Sequence, residues 1–473
     1  MKLYNSLTRR LEDFKPLEDR TVKFYHCGPT VYWVQHIGNL RAMTWADLIR
    51  RSLIFLDNKV IFVRNYTDVG HLTSDQDEGE DKMEKASKRE GLTPDQIAEK
   101  YIKIFEADTE KLNILPPGFK PKASEFIPQM QDMIKILLDK NHAYFTDYAV
   151  YFDVSSYKNY NQLNRQNIDL NIAGSGKGKI DDPQKRHFAD FALWFFKKGS
   201  HRNALQTWAS PWGEGFPGWH IECSVMAKSL LGQTIDIHMG GIEHIAVHHT
   251  NEIAQSEAAN GVKFVNYWLH NEHLSFEGEK MAKSKGTGFT LAEIQAQGFD
   301  PLDLRYFYLN AHYRSKQNFT WNGLSAAREG YFNLKNFVFS LRKQTQRSVL
   351  SKEKLAQLDT YRQNFSEFIS NDCQIPQALA LTWTMLKSSI PSTDKLDLLF
   401  EFDQVFGLKL NEFNEEKIPQ QILRLAKDRI EARKKGDFEL ADNLRKQINE
   451  KGFIIEDIDD GFKIKKSILL LQK

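Results

Sequence analysis

YHCGPTVYWVQHIGNLR, residues 25–41, joins a short apolar run (Val22–Tyr25) to a helix-like run (Leu40–Phe55). That is a strand–loop–helix entry. In an open α/β sheet, ligands bind just past the strand ends, where a helix N-terminus can face phosphate. The stretch sets Cys27 ahead of an HxGN element, His36-Ile37-Gly38-Asn39. A histidine in such a turn can approach a phosphate, and a glycine lets the backbone come close. An isolated HxGN is equally an ordinary surface turn, so its meaning depends on the rest of the chain.

The 473 residues allow about three domains of roughly 150 residues each. A hydrophobic content of 41% suits globular cores, and 27% charged residues suit a soluble surface. The formal net charge of +2 gives no overall nucleic-acid footprint, so any basic surface must be local. Three cysteines, Cys27, Cys223 and Cys373, are too few for a disulfide scaffold. They point to a reducing compartment, where cysteine binds metal, catalyses or packs. The N-terminal MKLYNSLTRRLEDF lacks the apolar stretch of a signal peptide, and no run of about 18 apolar residues suggests a membrane span. The expected location is cytoplasmic.

Working outward, Val60–Val63 reads as a buried strand and residues 96–112 as a helix, with Ile97, Tyr101, Ile104, Phe105 and Leu112 at helical spacing. The charged stretch 75–90 reads as a solvated loop and helix. Strand followed by helix, repeated, argues for a parallel sheet. From about 121 to 205 the texture changes: a helix over 127–138, then strands at 144–145, 150–154 and 188–196. The Gly/Lys-rich loop 174–179 lacks the full phosphate-loop pattern and reads as a connection. This block looks like an insertion between two halves of an α/β domain. Residues 206–270 return to the first character: a turn-rich aromatic stretch ending at Trp219, a helix with Glu222, Cys223 and Met226, a strand at Ile235–His238 with Gly240-Gly241 as the loop after it, and a helix from His248.

His248 and Glu252 lie four apart and project from one helix face. With Cys27 and Cys223 they make a two-sulfur, one-nitrogen, one-oxygen donor set well suited to zinc. Buried cysteines and a surface His–Glu pair are the alternative. KMAKSKG at 280–286 puts Lys280, Lys283 and Ser284 on a loop that either closes over a polyphosphate or is simply a solvated basic turn.

Beyond 320 the chain reads as helices, with Leu324, Ala327, Tyr331, Leu334, Val338 and Leu341 forming a bundle-facing stripe and Cys373 structural. The tail is a separate unit. A basic helix over 422–433 precedes a second helix capped by Asp437, with Leu440, Ala441, Leu444 and Ile448 inward and Gly452 at its end. A hairpin turning at 459–461 follows. The positive charge of Lys427, Arg429, Arg433, Lys434 and Lys435 is either a nucleic-acid face or a solvated helix.

HIGN near the N-terminus followed by KMAKS resembles the class I aminoacyl-tRNA synthetases. YHCGPTVY, HIGN, GWHIECS, HHTNEIAQSEA, VNYWLH, KMAKS and ARKKGDFELADNLR together resemble the cysteinyl-tRNA synthetase family, over essentially the whole chain. The resemblance implies an α/β chain. A Rossmann-type catalytic domain in two halves (1–120 and 206–270) is split by a connective insertion (121–205). A stem-contact region with the KMAKS loop (271–320), a helical bundle (321–407) and a small α+β anticodon-binding domain (408–473) follow. It implies one zinc on Cys27, Cys223, His248 and Glu252, and Mg²⁺ accompanying ATP. His36, Gly38, Asn39, Gly240, Gly241, Lys280, Lys283 and Ser284 would contact ATP, with His36, Asn39, Lys280 and Lys283 catalytic. Thr67 and Trp219 would line the cysteine pocket. Arg433, Phe438, Asp442 and Asp457 would meet the anticodon. The implied reaction is ligation of L-cysteine to the 3′ end of tRNA(Cys) through a cysteinyl-adenylate, by a monomer with no membrane partner. A cysteine ligase with a small-molecule amine acceptor and a non-catalytic paralogue are the rivals.

Three departures from the family pattern stand out: Asn39 for a second histidine, Ala282 for a serine, and GGIEHIAVHHTNE for GGGSDLxFPHHENE, which puts Glu243 where an aspartate is expected.

Overall fold

A computed structural model describes residues 1–69, 82–165, 182–281, 287–413, 419–458 and 461–466. The chain opens with an antiparallel hairpin, β1 (Lys2–Asn5) and β2 (Arg10–Asp13), followed by β3 (Thr21–His26), helix α1 (Ile37–Phe55) and β4 (Lys59–Arg64). Helices α2 (Lys82–Glu90), α3 (Pro94–Lys111) and α4 (Ile127–Asp139) lead to β5 (Ala143–Phe145), β6 (Ala149–Phe152), β7 (Phe191–Phe196) and β8 (Gly215–Pro217). Then come α5 (Trp219–Leu231), β9 (Ile235–Gly241), α6 (His248–Asn260) and β10 (Val265–Asn271).

Strands β4, β3, β9 and β10 form one sheet, in that order and all parallel. The alternation of strand and helix therefore produces the expected α/β core. Parallel strands are covered on both faces, and the side chains divide accordingly. Phe24 and Phe62 pack on the α1 side, whereas Tyr25, Cys27 and Val63 pack on the opposite side. Chain order reverses between β3 and β9, so the crevice past their C-terminal ends is the sheet's switch point, the place where such sheets bind ligands. Cys27 emerges there, its N–H donating to Met239 O at 3.1 Å.

Strands β5, β6, β7 and β8 make a separate antiparallel sheet. Its fourth strand lies past residue 205, so this sheet draws on the turn-rich stretch that reads from sequence as part of the second catalytic half. The loop 174–179 and the start of the charged stretch 75–90 lie outside the described residues. The helical end of that stretch, α2, is not merely solvated: Met83, Ala86 and Ser87 are buried.

After β10, β11 (Leu274–Phe276) pairs antiparallel with β12 (Glu279–Lys280) and parallel with β13 (Gln317–Phe319), with α7 (Leu291–Ala296) and α8 (Pro301–Leu309) between. The bundle comprises α9 (Trp321–Arg342), α10 (Lys352–Ser370), α11 (Ile375–Leu386) and α12 (Ser392–Phe406). All six stripe residues of α9 are buried, as is Cys373. The tail holds α13 (Gln420–Lys434), α14 (Phe438–Glu450) and the hairpin β14 (Phe453–Ile458) and β15 (Gly461–Lys466). Asp437 caps α14 through Oδ1 to Leu440 N, and Gly452 ends it at φ +85. Leu440, expected inward, is 48% exposed; only Ala441, Leu444 and Ile448 face the small core. Successive residues of an α-helix are rotated by about 100°, so Leu440 and Ala441 cannot both be central.

Candidate active site and metal centre

α1 starts at the switch point with an unusual cap. His36 Nδ1 accepts from Gly38 N at 3.1 Å and Asn39 N at 3.3 Å, while Asn39 Oδ1 accepts from His36 N at 3.3 Å. The reciprocal pattern satisfies backbone N–H groups that a helix N-terminus otherwise leaves unpaired. An accepting Nδ1 carries no proton, so neutral His36 is protonated at Nε2, and that nitrogen is the donor it can offer a phosphate. Gly38 is needed for this arrangement: a Cβ there would lie 2.9 Å from the His36 ring.

On the other face of the sheet, four side chains from three separate segments converge. Cys27 follows β3, Cys223 sits in α5, and His248 and Glu252 sit in the first two turns of α6; all are buried. Cys27 Sγ lies 3.9 Å from Cys223 Sγ and 3.9 Å from Glu252 Oε1. A disulfide would need about 2.05 Å. The edge of a tetrahedron with metal–sulfur distances near 2.3 Å is about 3.8 Å. His248 Nε2 is 3.0 Å from Glu252 Oε1, yet makes no hydrogen bond among the described residues. Two thiols, an imidazole and a carboxylate with their donor atoms all within 4.8 Å of one another are what a metal site requires, so the residues present fit a metal ion.

A second, overlapping donor set shares Cys27 and Glu252 and adds His238 and His249. His249 Nε2 lies 3.4 Å from Cys27 Sγ, and His238 Nε2 lies 2.9 Å from Glu252 Oε2. Both α6 histidines are oriented through their far nitrogens: His248 Nδ1 pairs with His220 Nδ1 at 2.9 Å, and His249 Nδ1 with His270 Nε2 at 2.7 Å. Such outer partners set the ring a metal ligand presents. Burial drives His220, His249 and His270 well below the ordinary histidine range, so they are neutral. Burial also opposes charge on His248 and Glu252. The carboxylate and imidazole overcome it together, His248 rising to about 10 and Glu252 falling to about 2 with His238 and His248 beside it. Burial raises the Cys27 thiol, while its hydrogen bond to Cys223 lowers that partner.

The other expected contacts fall into two groups. Trp219 opens α5 and stacks on His248, ring centroids 4.1 Å apart, forming a wall beside the donor set. Thr67 is buried next to the Cys27–Val31 loop, accepting from Val31 N at 3.1 Å. Gly240 and Gly241 end β9 rather than forming a loop after it. A Cβ on Gly240 would lie 2.5 Å from His244 Nδ1 and 2.7 Å from His249 Cε1, so the glycine makes room for the histidines. Glu243 faces His273 Nδ1 at 3.5 Å. Lys280 lies in β12; Lys283 and Ser284 lie outside the described residues.

In the tail, Phe438 is 65% exposed and Asp442 is exposed on the same helix. Arg433 and Asp457 pair with each other, and Asp457 also takes a bidentate pair from Arg429, at 2.6 and 3.1 Å. From sequence Arg429 is only basic charge, and His238, His249 and His270 carry no separate role. A histidine in the apolar strand IDIH is the signal that could have raised His238.

Similarity to known proteins agrees with this geometry. The family model for the class I (C) tRNA synthetase catalytic domain matches residues 13–329. A cysteine--tRNA ligase of Treponema denticola is 40% identical over 97% of this chain and 98% of its own length. One of Borrelia turicatae is 40% identical over 98% and 99%, and cysteine--tRNA ligase 1 of Burkholderia lata is 39% identical over 98% and 96%. Among solved structures, Mycobacterium tuberculosis methionyl-tRNA synthetase with methionyl-adenylate shares the fold at a TM-score of 0.57 and 13% identity, covering 82% of this chain and 88% of that one. A LeuRS–tRNA–LeuAMS ternary complex from Agrobacterium radiobacter K84 does so at 0.60 and 11%, covering 84% and 85%. With a Rossmann-like sheet, a capped HIGN helix and a buried Cys/His/Glu pocket at its switch point, this chain belongs to the class I aminoacyl-tRNA synthetases, in the cysteine--tRNA ligase family.

Proposed function

We infer that the chain ligates L-cysteine to the 3′ end of tRNA(Cys), first forming cysteinyl-adenylate from ATP·Mg²⁺ and then transferring the cysteinyl group to a terminal ribose hydroxyl. The observation that carries this reading is the convergence of Cys27, Cys223, His248 and Glu252 across the sheet from the N-terminus of α1. It joins an amino-acid pocket with thiol-selecting donors to a phosphate-binding helix end.

Zinc is the metal this donor set suits; bound there, it supplies a Lewis-acidic site that prefers a thiolate to the hydroxyl of serine. The protein residues then act by position. Trp219 would wall the pocket, and Thr67 would lie near the substrate amine. The carboxylate of cysteine attacks the α-phosphate in line, the P–O bond to pyrophosphate breaks, and no protein nucleophile is needed. His36 Nε2, the Asn39 side chain and the positive end of the α1 dipole favour the negative charge that builds on the phosphates. Lys280 and Lys283 would neutralise the leaving pyrophosphate, with Ser284, Gly240 and Gly241 along the nucleotide. The tail reads tRNA through exposed Phe438, which can stack on a base, together with Arg433, Asp442 and Asp457.

Charging of total tRNA with labelled cysteine, with serine as control, tests the whole reading. Cysteine-specific charging is expected. Cysteine-dependent ATP–pyrophosphate exchange without charging would shift the acceptor to a small-molecule amine, and silence in both would make the chain a non-catalytic paralogue.

A further inference from the structure

Arg41 lies one turn into α1 and is fully buried. Its guanidinium makes four hydrogen bonds, all to one remote region. Nε donates to Gln317 Oε1 at 2.9 Å, Nη1 to Glu272 O at 2.6 Å, and Nη2 to His312 O and Ser315 O, each at 3.0 Å. Glu272 leads directly into β11, which carries β12 and Lys280 on one side and β13, containing Gln317, on the other. Gln317 passes the contact on, its Nε2 donating to Phe307 O at 2.6 Å. The far end of the same segment is also tied to α1: Ile37 N donates to Phe289 O at 2.8 Å, and Tyr308 Oη donates to Ile37 O at 2.6 Å. The stretch carrying the KMAKS sequence therefore leaves α1 at Arg41 and returns to it at Ile37.

A buried guanidinium is costly to desolvate, and here it is satisfied by three backbone carbonyls and an amide. Burial lowers it only to about 10, so it remains a cation at neutral pH. Carbonyls held by a rigid planar fork cannot slide without leaving donors unpaired. Five donors in a fixed plane specify distance and angle together, which a lysine ammonium would not.

We propose that Arg41 is a positioning residue for adenylate formation: it sets the β11–β12 hairpin, and so Lys280, in register with the phosphate-binding end of α1. This rests on the adenylation reading given above. Arg41 touches no reacting atom; it acts through the hairpin. In-line transfer depends steeply on position, and a misplacement of about 1 Å can cost about 100-fold in rate.

The test is a double-mutant cycle read by cysteine-dependent ATP–pyrophosphate exchange. Arg41→Lys is expected to lower kcat at least about tenfold while changing the cysteine KM less than about twofold. Lys280→Ala lowers kcat in its own right. If Arg41 works through Lys280, the double variant is no slower than Lys280→Ala by more than about threefold. Losses that multiply, or an unchanged kcat in Arg41→Lys, overturn the proposal. Gln317→Met removes the acceptor of Arg41 Nε together with the Gln317–Phe307 contact, leaves the three carbonyl acceptors of Arg41 in place, and carries the same cycle should Arg41→Lys fail to fold; its losses must likewise not multiply with those of Lys280→Ala. A parent chain without exchange activity overturns the adenylation reading and this inference with it. An active parent with multiplicative losses overturns Arg41's role alone.

Discussion

Asp47 of α1 and Arg305 of α8 form an ion pair of 2.6 Å in which neither side chain is accessible to solvent beyond 1%. Arg305 also donates to Phe406 O at 2.7 Å and Leu112 O at 2.9 Å, while Arg51 binds the same carboxylate at 2.8 Å and Asn113 O at 2.7 Å. One carboxylate thus joins the HIGN helix, the region after KMAKS and the end of the bundle. Burial alone would raise the Asp47 carboxyl, but the two guanidinium groups hold it below the usual value.

Asp47→Asn should leave Arg305 buried without its ion-pair partner and destabilise the chain by about 3 kcal/mol. The pH dependence follows from the depressed carboxyl. The stabilisation is complete above the unfolded value of 3.8 and is lost as pH falls through the lower native value. Denaturant melts of parent and variant from pH 3 to 7 check this. The gap between them should be constant above about pH 5 and narrow only in acid; a gap that widens in acid is incompatible with the assignment.

The two overlapping donor sets predict different metal spectra. Cobalt bound by Cys27, Cys223, His248 and Glu252 has two thiolate ligands, and cobalt bound by Cys27, His238, His249 and Glu252 has one. Two are expected, from the intensity of the thiolate charge-transfer bands in the parent relative to single-cysteine variants. Cys223→Ala should then lose the metal by elemental analysis and weaken cysteine binding at least about tenfold, with ATP affinity unchanged. Stoichiometric metal in that variant would place the ion in the histidine set.

His36 is expected to have two separable roles. His36→Asn keeps a good N-cap residue, so stability should change by less than about 0.5 kcal/mol, whereas His36→Ala should cost about 1 kcal/mol. Both lose the Nε2 donor, and exchange activity should drop about 100-fold in each, roughly 2.7 kcal/mol of barrier. Thermal melts paired with exchange assays check this. Equal activity in His36→Asn and the parent would confine the histidine to the cap.

Arg429 is expected to act on tRNA alone. Its side chain is nearly inaccessible, and it holds Asp457, which in turn holds Arg433. Arg429→Ala should raise the tRNA KM in charging by about fivefold or more, since a charged hydrogen-bonded pair is broken. Pyrophosphate exchange, which needs no tRNA, should be unaltered. A loss in exchange would show that the tail supports the catalytic domain directly.

The α/β class, the insertion and the bundle could be read from sequence because strand and helix periods and turn residues are local properties. The buried stripe on α9, the cap at Asp437 and the pairing of His248 with Glu252 are of that kind, with spacings of three or four residues. Leu440 escaped because adjacent apolar residues leave the inward direction ambiguous. The candidate metal donors were nameable as residue types in a motif order, but their convergence depends on β3, α5 and α6 meeting at one sheet end. Only the tertiary structure could bring in His238 and His249, show His36 spending one nitrogen on its own helix, or aim Arg41 at carbonyls more than two hundred residues away along the chain. Side-chain chemistry and local periodicity are written residue by residue. Which distant groups share a buried pocket is decided by how the sheet is ordered and what packs on each face.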